Sequence, residues 1–230
     1  MRDGASWCGA RFPGRPGSRR RRRREGFVYL TEELLAPLRA QYGSPLEATA
    51  AAPFTPREFG LLEYCARKNR AHDLTVFVRD EAGRFALIRK PGYPPGVFRS
   101  PSGGAEPGEA VLDAVARETR EETGLEVAIE RYLFCCRAEF TCEGRVMLWT
   151  THGILARGTG GVLEPVDRKE IAEACWASAA EVCGLYRERM LALGSAGMRY
   201  RVDLQDLALD RLGLQNWQPE PGRLIQFVSG

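Results

Sequence analysis

The sequence predicts a mixed α/β chain in which strands and amphipathic helices alternate around one core. Three observations carry this expectation. β-Branched and aromatic runs at 74–78 and 85–88 are typical of strands. Capped apolar stretches before and after them are typical of helices. The composition, with 44% hydrophobic and 27% charged residues in a chain of 230, is sufficient for one sizeable core.

The first 25 residues differ from the rest of the chain. They contain nine arginines against Asp3 and Glu25, a local charge of +7. Since the whole chain carries +3, residues 26–230 carry −4, and the basic character belongs to the tail. Its Gly, Pro, Ser and Arg content predicts disorder. Two interpretations stay open: an arm that contacts nucleic acid, and a non-functional extension from an overextended start.

Two helices are expected in an N-terminal extension that spans residues 26–70. Thr31 is the expected cap of the first, with Leu34, Leu35 and Leu38 on its apolar face. Residues 48–53 have the low complexity of a linker. Thr55 is the expected cap of the second helix, which runs from Pro56 to about Arg67. Its buried side chains are expected to be Phe59, Leu61, Leu62 and Tyr64.

A catalytic domain is expected over residues 71–194, and a C-terminal extension over 195–230. The runs at 74–78 and 85–88 form a hairpin around Asp80 and Gly83. Two long strands follow at 127–140 and 145–155, then a polar loop and a strand at 174–178. Ser178 caps a helix that reaches about residue 193. The extension is expected to contain a helix over VDLQDLALDRLGL and a short strand at 224–228.

The stretch at 103–125, GGAEPGEAVLDAVARETREETGL, carries the chemistry. Glu118, Glu121 and Glu122 are spaced i, i+3 and i+4, so a helix presents all three on one face. No Lys or Arg follows within the next turn to relieve their repulsion. A divalent cation would, and an all-oxygen site suits Mg²⁺ or Mn²⁺. The other interpretation is a solvated acidic helix face.

The residues around this triplet indicate a fixed support for it. Pro107 and Gly108 interrupt the chain before the helix, and Glu109 is expected in the first turn, where the helix dipole favours a negative charge. An apolar stripe is expected about 100° round from the glutamates. It consists of Leu112, Val115, Ala116 and Thr119. Gly124 ends the helix as a residue that can adopt positive φ.

This stretch resembles the signature of the Nudix hydrolases, G-x5-E-x7-R-E-U-x-E-E-x-G-U, where U is a bulky aliphatic residue. Every polar position matches in register, and Thr119 is the one departure, at an aliphatic position. The matching residues are Gly103, Glu109, Arg117, Glu118, Glu121, Glu122, Gly124 and Leu125. The resemblance implies a mixed β-sheet sandwiched between helices, with this stretch forming a loop, a helix and a loop on one side.

The resemblance also implies roles for individual residues. Glu118, Glu121 and Glu122 would hold the divalent metal, Mg²⁺ or Mn²⁺, with help from the backbone carbonyl of Ser102. Glu109 would orient Arg117, and Gly103 and Gly124 would support the loops. The implied reaction is hydrolysis of a nucleoside diphosphate linked to another moiety, by attack of water on phosphorus.

Residues outside the signature are candidates for the rest of the site. Arg89, Lys90 and Arg99 lie on the approach to it and could contact substrate phosphates, or could be solvated charges at strand ends. Many members of the family place a further carboxylate before a strand that carries a Trp, here Trp176. Glu170 is the candidate for this carboxylate, as a metal ligand or as the catalytic base, and a solvated loop charge is the other interpretation. Its competitors are Glu164 and Asp167.

Three functions are weighed on these grounds. The favoured one is a pyrophosphohydrolase acting on ADP-ribose or another nucleotide sugar. The second acts on nucleoside triphosphates or RNA 5′ ends. The third is a nucleotide-binding module without catalysis, which has no need for three repelling carboxylates. Family cues for substrate choice are not met, because the positions that would carry a proline or tyrosine hold Thr141 and Cys142.

Cysteine and hydropathy patterns bound the compartment and the partners. Seven cysteines without a CxxC pair indicate free thiols in a reducing compartment, so we expect a cytoplasmic protein. With two histidines and no paired cysteines, a zinc site is not expected. No apolar run is long enough to span a membrane. The expected partner is a small nucleotide, with nucleic acid only through the tail, and a homodimer is possible.

Overall fold

The structure, a computed structural model, describes residues 30–67, 72–218 and 220–228. The arginine-rich tail at 1–25 lies outside the described residues, so its expected disorder stays a prediction. The boundaries of the three expected units after it also stay predictions. No helix in the described ranges combines the length and the apolar character needed to cross a bilayer. The six cysteines in these ranges are free thiols.

Eight strands and six helices follow one another along the described chain. In order they are α1 (Glu32–Tyr42), β1 (Leu46–Pro53), α2 (Pro56–Arg67), β2 (His72–Arg79), β3 (Phe85–Arg89), β4 (Ser102–Gly103), α3 (Val111–Thr123), β5 (Leu125–Cys142), β6 (Arg145–Gly161), β7 (Glu173–Ala177), α4 (Ala179–Glu181), α5 (Arg187–Leu191), α6 (Ala196–Arg211) and β8 (Ile225–Phe227). A π-helical turn at Val182–Tyr186 joins α4 to α5.

The strands form one mixed sheet in the order β7-β3-β2-β6-β5-β1-β8, with β4 paired to β2. The pairs β2–β6 and β1–β5 are parallel, and the other pairs are antiparallel. Successive side chains of a strand face opposite sides, so Val76 packs with α1 and α3, whereas Phe77 packs with α2 and α6. The predicted sheet between helices is confirmed.

Local signals located most elements correctly. The hairpin of β2 and β3 turns through Asp80 and Gly83, and Gly83 has a positive φ of 75°. Thr31 caps α1 through its hydroxyl. Thr55 and Glu58 form a reciprocal capping box at the start of α2. Ser178 and Glu181 do the same for α4. These predicted caps are confirmed.

The predicted linker at 48–53 is wrong. Residues Leu46–Pro53 form strand β1, which pairs in parallel with β5 along its whole length. Ala48, Ala50 and Ala52 are buried in alternation, because small side chains fit where α6 lies close to the sheet. On α2, Phe59 is buried as predicted. Leu61 and Tyr64 are not, with exposed fractions of 63% and 52%.

The C-terminal residues complete the fold. Ser195 caps α6, and the chain returns as β8 to pair with β1. Between them, three carboxylates and three guanidinium groups form one network of ion pairs, the clasp. It consists of Asp203, Asp206, Glu220, Arg187, Arg199 and Arg223. The clasp joins α6 to α5 and to the segment that leads into β8.

A buried chain of hydrogen bonds lies between β2, β5 and β6. The Tyr132 hydroxyl is 2.6 Å from His152 Nδ1, and His152 Nε2 is 2.9 Å from His72 Nδ1. Burial, together with the positive charge of Arg137, lowers the pKa of His72 from 6.5 to about 4. Burial also lowers the pKa of His152 well below its ordinary value. These contacts give His152 a structural role in the core.

Acidification should therefore destabilise the fold. In the unfolded chain His72 binds a proton below pH 6.5, whereas in the folded chain it stays neutral until about pH 4. The contribution of His72 is complete above pH 6.5 and is lost as the pH falls through this window. Between pH 7.5 and pH 5 the free energy of unfolding should fall by about 2 kcal/mol through His72 alone. Urea denaturation of the wild type and of His72→Gln checks this. Equal losses in the two proteins would contradict it.

Candidate active site

Helix α3 is held at its C-terminal end by the loop that follows β6. Gly124 adopts the left-handed conformation, with φ of 76°, and a Cβ there would lie 2.4 Å from the carbonyl oxygen of Glu164. The amides of Val166 and Asp167 donate to the carbonyl of Glu121 at 3.1 and 3.0 Å. The free carbonyls at the helix end are thereby satisfied, and the loop is fixed beside the glutamates.

Two glutamates of α3 are bound to the loop around β4. Glu118 accepts the amide of Gly104 at 3.1 Å, and Glu122 accepts the amide of Ser102 at 2.7 Å. Both side chains are buried. The predicted apolar stripe was wrong at Ala116, which is exposed. Glu118 and Glu122 occupy the buried face of the helix instead, together with Val111, Ala114, Val115 and Thr119.

Gly103 lies between these two contacts, where any side chain would have to displace the Glu118 carboxylate. A Cβ on Gly103 would lie 1.9 Å from the carboxyl carbon of Glu118. The carboxylate therefore packs directly against the backbone of β4.

Arg117 joins three carboxylates. It binds Glu109 through two hydrogen bonds of 2.8 Å, and its Nη1 lies 3.0 Å from Glu118 and 3.3 Å from Glu121. The hydrogen bonds to Glu109 and Glu118 raise the pKa of Arg117 above its usual value. No Lys or Arg follows the three glutamates within a turn. The cation that reduces their mutual repulsion is Arg117, which precedes them. Glu109 itself lies before the helix, because α3 begins only at Val111.

Two further cations approach Glu122. Arg99 Nη2 and Lys90 Nζ each lie 3.7 Å from the Glu122 carboxylate. Burial raises the pKa of Glu122, and the charges of Arg99 and Lys90 oppose that rise. Arg99 is itself buried, with 3% of its surface exposed, and donates to the Ser102 hydroxyl at 3.0 Å.

Lys90 also connects Glu122 to Glu170. Its Nζ lies 3.2 Å from the Glu170 carboxylate, so the candidate base lies one lysine away from the glutamates of α3. Of the competitors, Asp167 accepts the amides of residues 169 and 170, and Glu164 pairs with Arg168. Both therefore have local structural partners, and Glu170 is the loop carboxylate connected to Glu122.

Arg89 is directed away from this cluster. Lys90, the residue after β3, approaches Glu122, whereas Arg89, the last residue of β3, pairs with Glu173 at 3.0 Å. Arg89 also donates to the Tyr93 carbonyl at 3.4 Å. Among the described residues no contact joins Arg89 to the glutamates of α3, and its assignment to the substrate stays a prediction.

The donor set fits a hard divalent cation by its chemistry. Carboxylate oxygens such as those of α3 are ligands that Mg²⁺ and Mn²⁺ prefer, and the Ser102 carbonyl stays a predicted further ligand. Here Glu118 and Glu122 are bound to amides, and Glu121 is more exposed and bound to Arg117. Within the described ranges, one group of three Asp, Glu, His or Cys side chains has ligand atoms within 4.8 Å of one another. This group is the three carboxylates of the clasp, and not the glutamates of α3. Its arginines already neutralise that group.

Comparison with known proteins gives one family match and several relatives. Residues 69–198 match the NUDIX domain. The chain is 32% identical over 105 residues to an NAD-capped RNA hydrolase of Macaca fascicularis, covering 46% of this chain and 21% of the relative. It is 33% identical over 136 residues to an NAD-capped RNA hydrolase of Stutzerimonas stutzeri, covering 58% of this chain and 45% of the relative. The chain thus spans less than half the length of these relatives.

The chain is also similar to a solved structure, with a lower sequence identity than to these relatives. A NUDIX hydrolase from Nitrosomonas europaea is 22% identical, with 59% of this chain and 95% of that chain covered and a TM-score of 0.39. This degree of likeness is too low to support a functional inference.

The close packing of Glu118 on Gly103 yields a test. Gly103→Ala should displace the Glu118 carboxylate and weaken Mn²⁺ binding by about tenfold, because residues that orient metal ligands contribute on that order. Isothermal titration calorimetry measures the affinity. Gly60→Ala is the matched control, since a Cβ at that helical position meets no atom within 4 Å. Unchanged Mn²⁺ affinity in Gly103→Ala would contradict the role given to this packing.

Proposed function

The chain belongs to the Nudix family, and from this premise we propose that it is a divalent-metal-dependent hydrolase that cleaves a pyrophosphate bond in a nucleotide derivative. The observation that carries the proposal is the pair of buried carboxylates, Glu118 and Glu122, bound to backbone amides of one short loop. Burying two carboxylates so close together is costly. An arrangement that keeps them there is understandable if they hold a cation.

Hydrolysis of a pyrophosphate requires that the negative charge of its oxygens be neutralised. The oxygens of a pyrophosphate are negatively charged and repel a nucleophile. Bound Mg²⁺ or Mn²⁺ supplies the positive charge that polarises these oxygens and acidifies water. Glu118, Glu121, Glu122 and the Ser102 carbonyl would hold it. Lys90 and Arg99 add fixed positive charge next to Glu122.

Glu170 is the proposed acceptor of the proton from the attacking water. Its carboxylate is exposed to solvent and pairs with Lys90, which also approaches Glu122. A carboxylate that is fixed at the edge of a site, and is not itself needed as a metal ligand, suits general-base catalysis.

The substrate class we favour is a nucleoside diphosphate linked to another moiety. This class contains ADP-ribose and other nucleotide sugars, and it contains NAD, in which AMP is joined to a second nucleotide through a pyrophosphate. The relatives described above are named NAD-capped RNA hydrolases, which supports RNA 5′ ends as the second candidate. A role in RNA contact for residues 1–25 and a homodimer stay predictions.

Hydrolysis across a substrate panel tests the proposal. We expect release of mononucleotide from at least one of ADP-ribose, NAD, a nucleotide sugar and NAD-capped RNA in the presence of Mg²⁺ or Mn²⁺. Glu122→Gln should lower kcat by about a hundredfold or more, because it removes a charged metal ligand. Glu33→Gln, an exposed residue of α1, is the control and should retain activity. A folded, metal-binding protein that leaves the whole panel intact would favour a binding module.

A separate prediction concerns the base. Glu170→Gln should lower kcat by about a hundredfold and leave KM nearly unchanged, since general-base catalysis contributes on that order. Glu164→Gln changes the same charge in the same loop and should have little effect. Steady-state kinetics of both variants on one substrate measures the difference. Similar kcat values for the two variants would remove Glu170 from the mechanism.

A further inference from the structure

Helix α6 brings a cation to the site from beyond the matched family region. Arg201 Nη1 lies 3.4 Å from the Ser102 hydroxyl, and Arg99 Nη1 lies 3.0 Å from the same oxygen. Ser102 also donates its amide to Glu122. Two guanidinium groups therefore meet at one residue of the proposed metal site. The NUDIX match ends at residue 198, so Arg201 does not belong to the matched family region.

Three cations, Lys90, Arg99 and Arg201, lie around Ser102, and Glu122 and Glu170 pair with the first two. Lys90 and Arg99 each approach Glu122 no closer than 3.7 Å. Within the described ranges, no carboxylate oxygen lies within 4.0 Å of Arg201. Burial raises the pKa of Tyr93, but the nearby charges of Arg99, Arg201 and Lys90 outweigh it and lower that pKa.

The same place contains polar atoms without partners. Thr75, Arg99, Arg201 and Gln205 line a small cavity of about 10 Å³. Among the described residues, Thr75 Oγ1, Arg99 Nε and Gln205 Oε1 have no hydrogen-bond partner. A buried polar atom without a partner destabilises the fold. A cavity of this size has room for about one water molecule, which can satisfy these atoms.

The support of Arg201 is rigid. The carboxylate of Glu58, on α2, accepts the amide of Gly197 at 2.9 Å, which fixes the first turn of α6. The clasp holds the next turns through Asp203 and Asp206, both buried. A cation on such a helix loses little freedom when it binds a ligand. Surface arginines that serve only solubility have no such support.

We propose that Arg201 binds a phosphate group of the substrate, as the third member of a receptor that contains Lys90 and Arg99. The inference rests on the proposed function, since it identifies how the same site holds its substrate. Guanidinium groups suit phosphate because their planar donors match its oxygens, and two of them at one site favour a group with more than one charge. A diphosphate has that charge. Helix α6 thereby takes part in substrate choice.

Binding without metal tests the receptor independently of catalysis. Inorganic pyrophosphate is titrated in EDTA into the full chain and into variants, by isothermal titration calorimetry. Arg201→Gln should weaken binding by about tenfold, and Arg201→Lys by about threefold, because lysine keeps the charge and loses the planar fork. Arg57→Gln, an exposed arginine of α2, has the same charge change and should bind as the wild type does.

The outcomes separate this proposal from the proposed function. Equal affinity of Arg201→Gln and the wild type, or an equal loss in Arg57→Gln, would overturn the receptor. If Arg201→Gln lacks a cooperative melting transition, the Arg201→Lys titration decides, and wild-type affinity there would count against the receptor. On a hydrolysed substrate, Arg201→Gln should raise KM about tenfold and change kcat much less. If the protein hydrolyses no substrate of the panel, the proposed hydrolase activity is wrong, but the pyrophosphate-binding result still tests the receptor.

Discussion

Glu118 and Glu122 accept backbone amides from the two sides of Gly103, and the rest of the site is arranged around these two hydrogen bonds. They fix α3 against β4 and hold two buried carboxylates one helical turn apart. The cost of burying these charges is offset by the amides and by the cations around them, Arg117 on one side and Arg99 on the other. Because the contact joins helix and strand, the position of the catalytic groups follows from the packing of the fold.

A second constraint acts at the opposite side of the sheet. The clasp buries Asp203 and Asp206 and pairs them with three arginines, two of which come from outside α6. Removing one partner of such a network leaves a buried charge uncompensated, so the network specifies one position for the helix. The carboxylate of Asp203 also accepts the amide of Leu224, just before β8. The last strand of the sheet and the helix that carries Arg201 are thus fixed together.

The sequence predicted what depends on local chemistry. Caps such as Thr55 and Ser178, and the strand runs of β2 and β3, are set by neighbours within a few residues. The candidate metal ligands were readable for the same reason, since their spacing is local. The strand at 46–53 was missed because its alanines have no β-propensity of their own and pair only with the distant β5. Arg201 gave no signal, because its neighbour Ser102 is 99 residues away.

The same distinction explains why the substrate is harder to infer than the reaction. The groups proposed for the chemistry lie on α3 and its loops, inside the region that matches the family. The cations proposed to bind the substrate come from three places: the end of β3, the segment before β4, and α6. Relatives that align over about half of this chain need not share the third. If the proposed receptor holds, substrate choice depends on helix packing beyond the signature, and the arginine on α6 is where this chain can differ from its relatives.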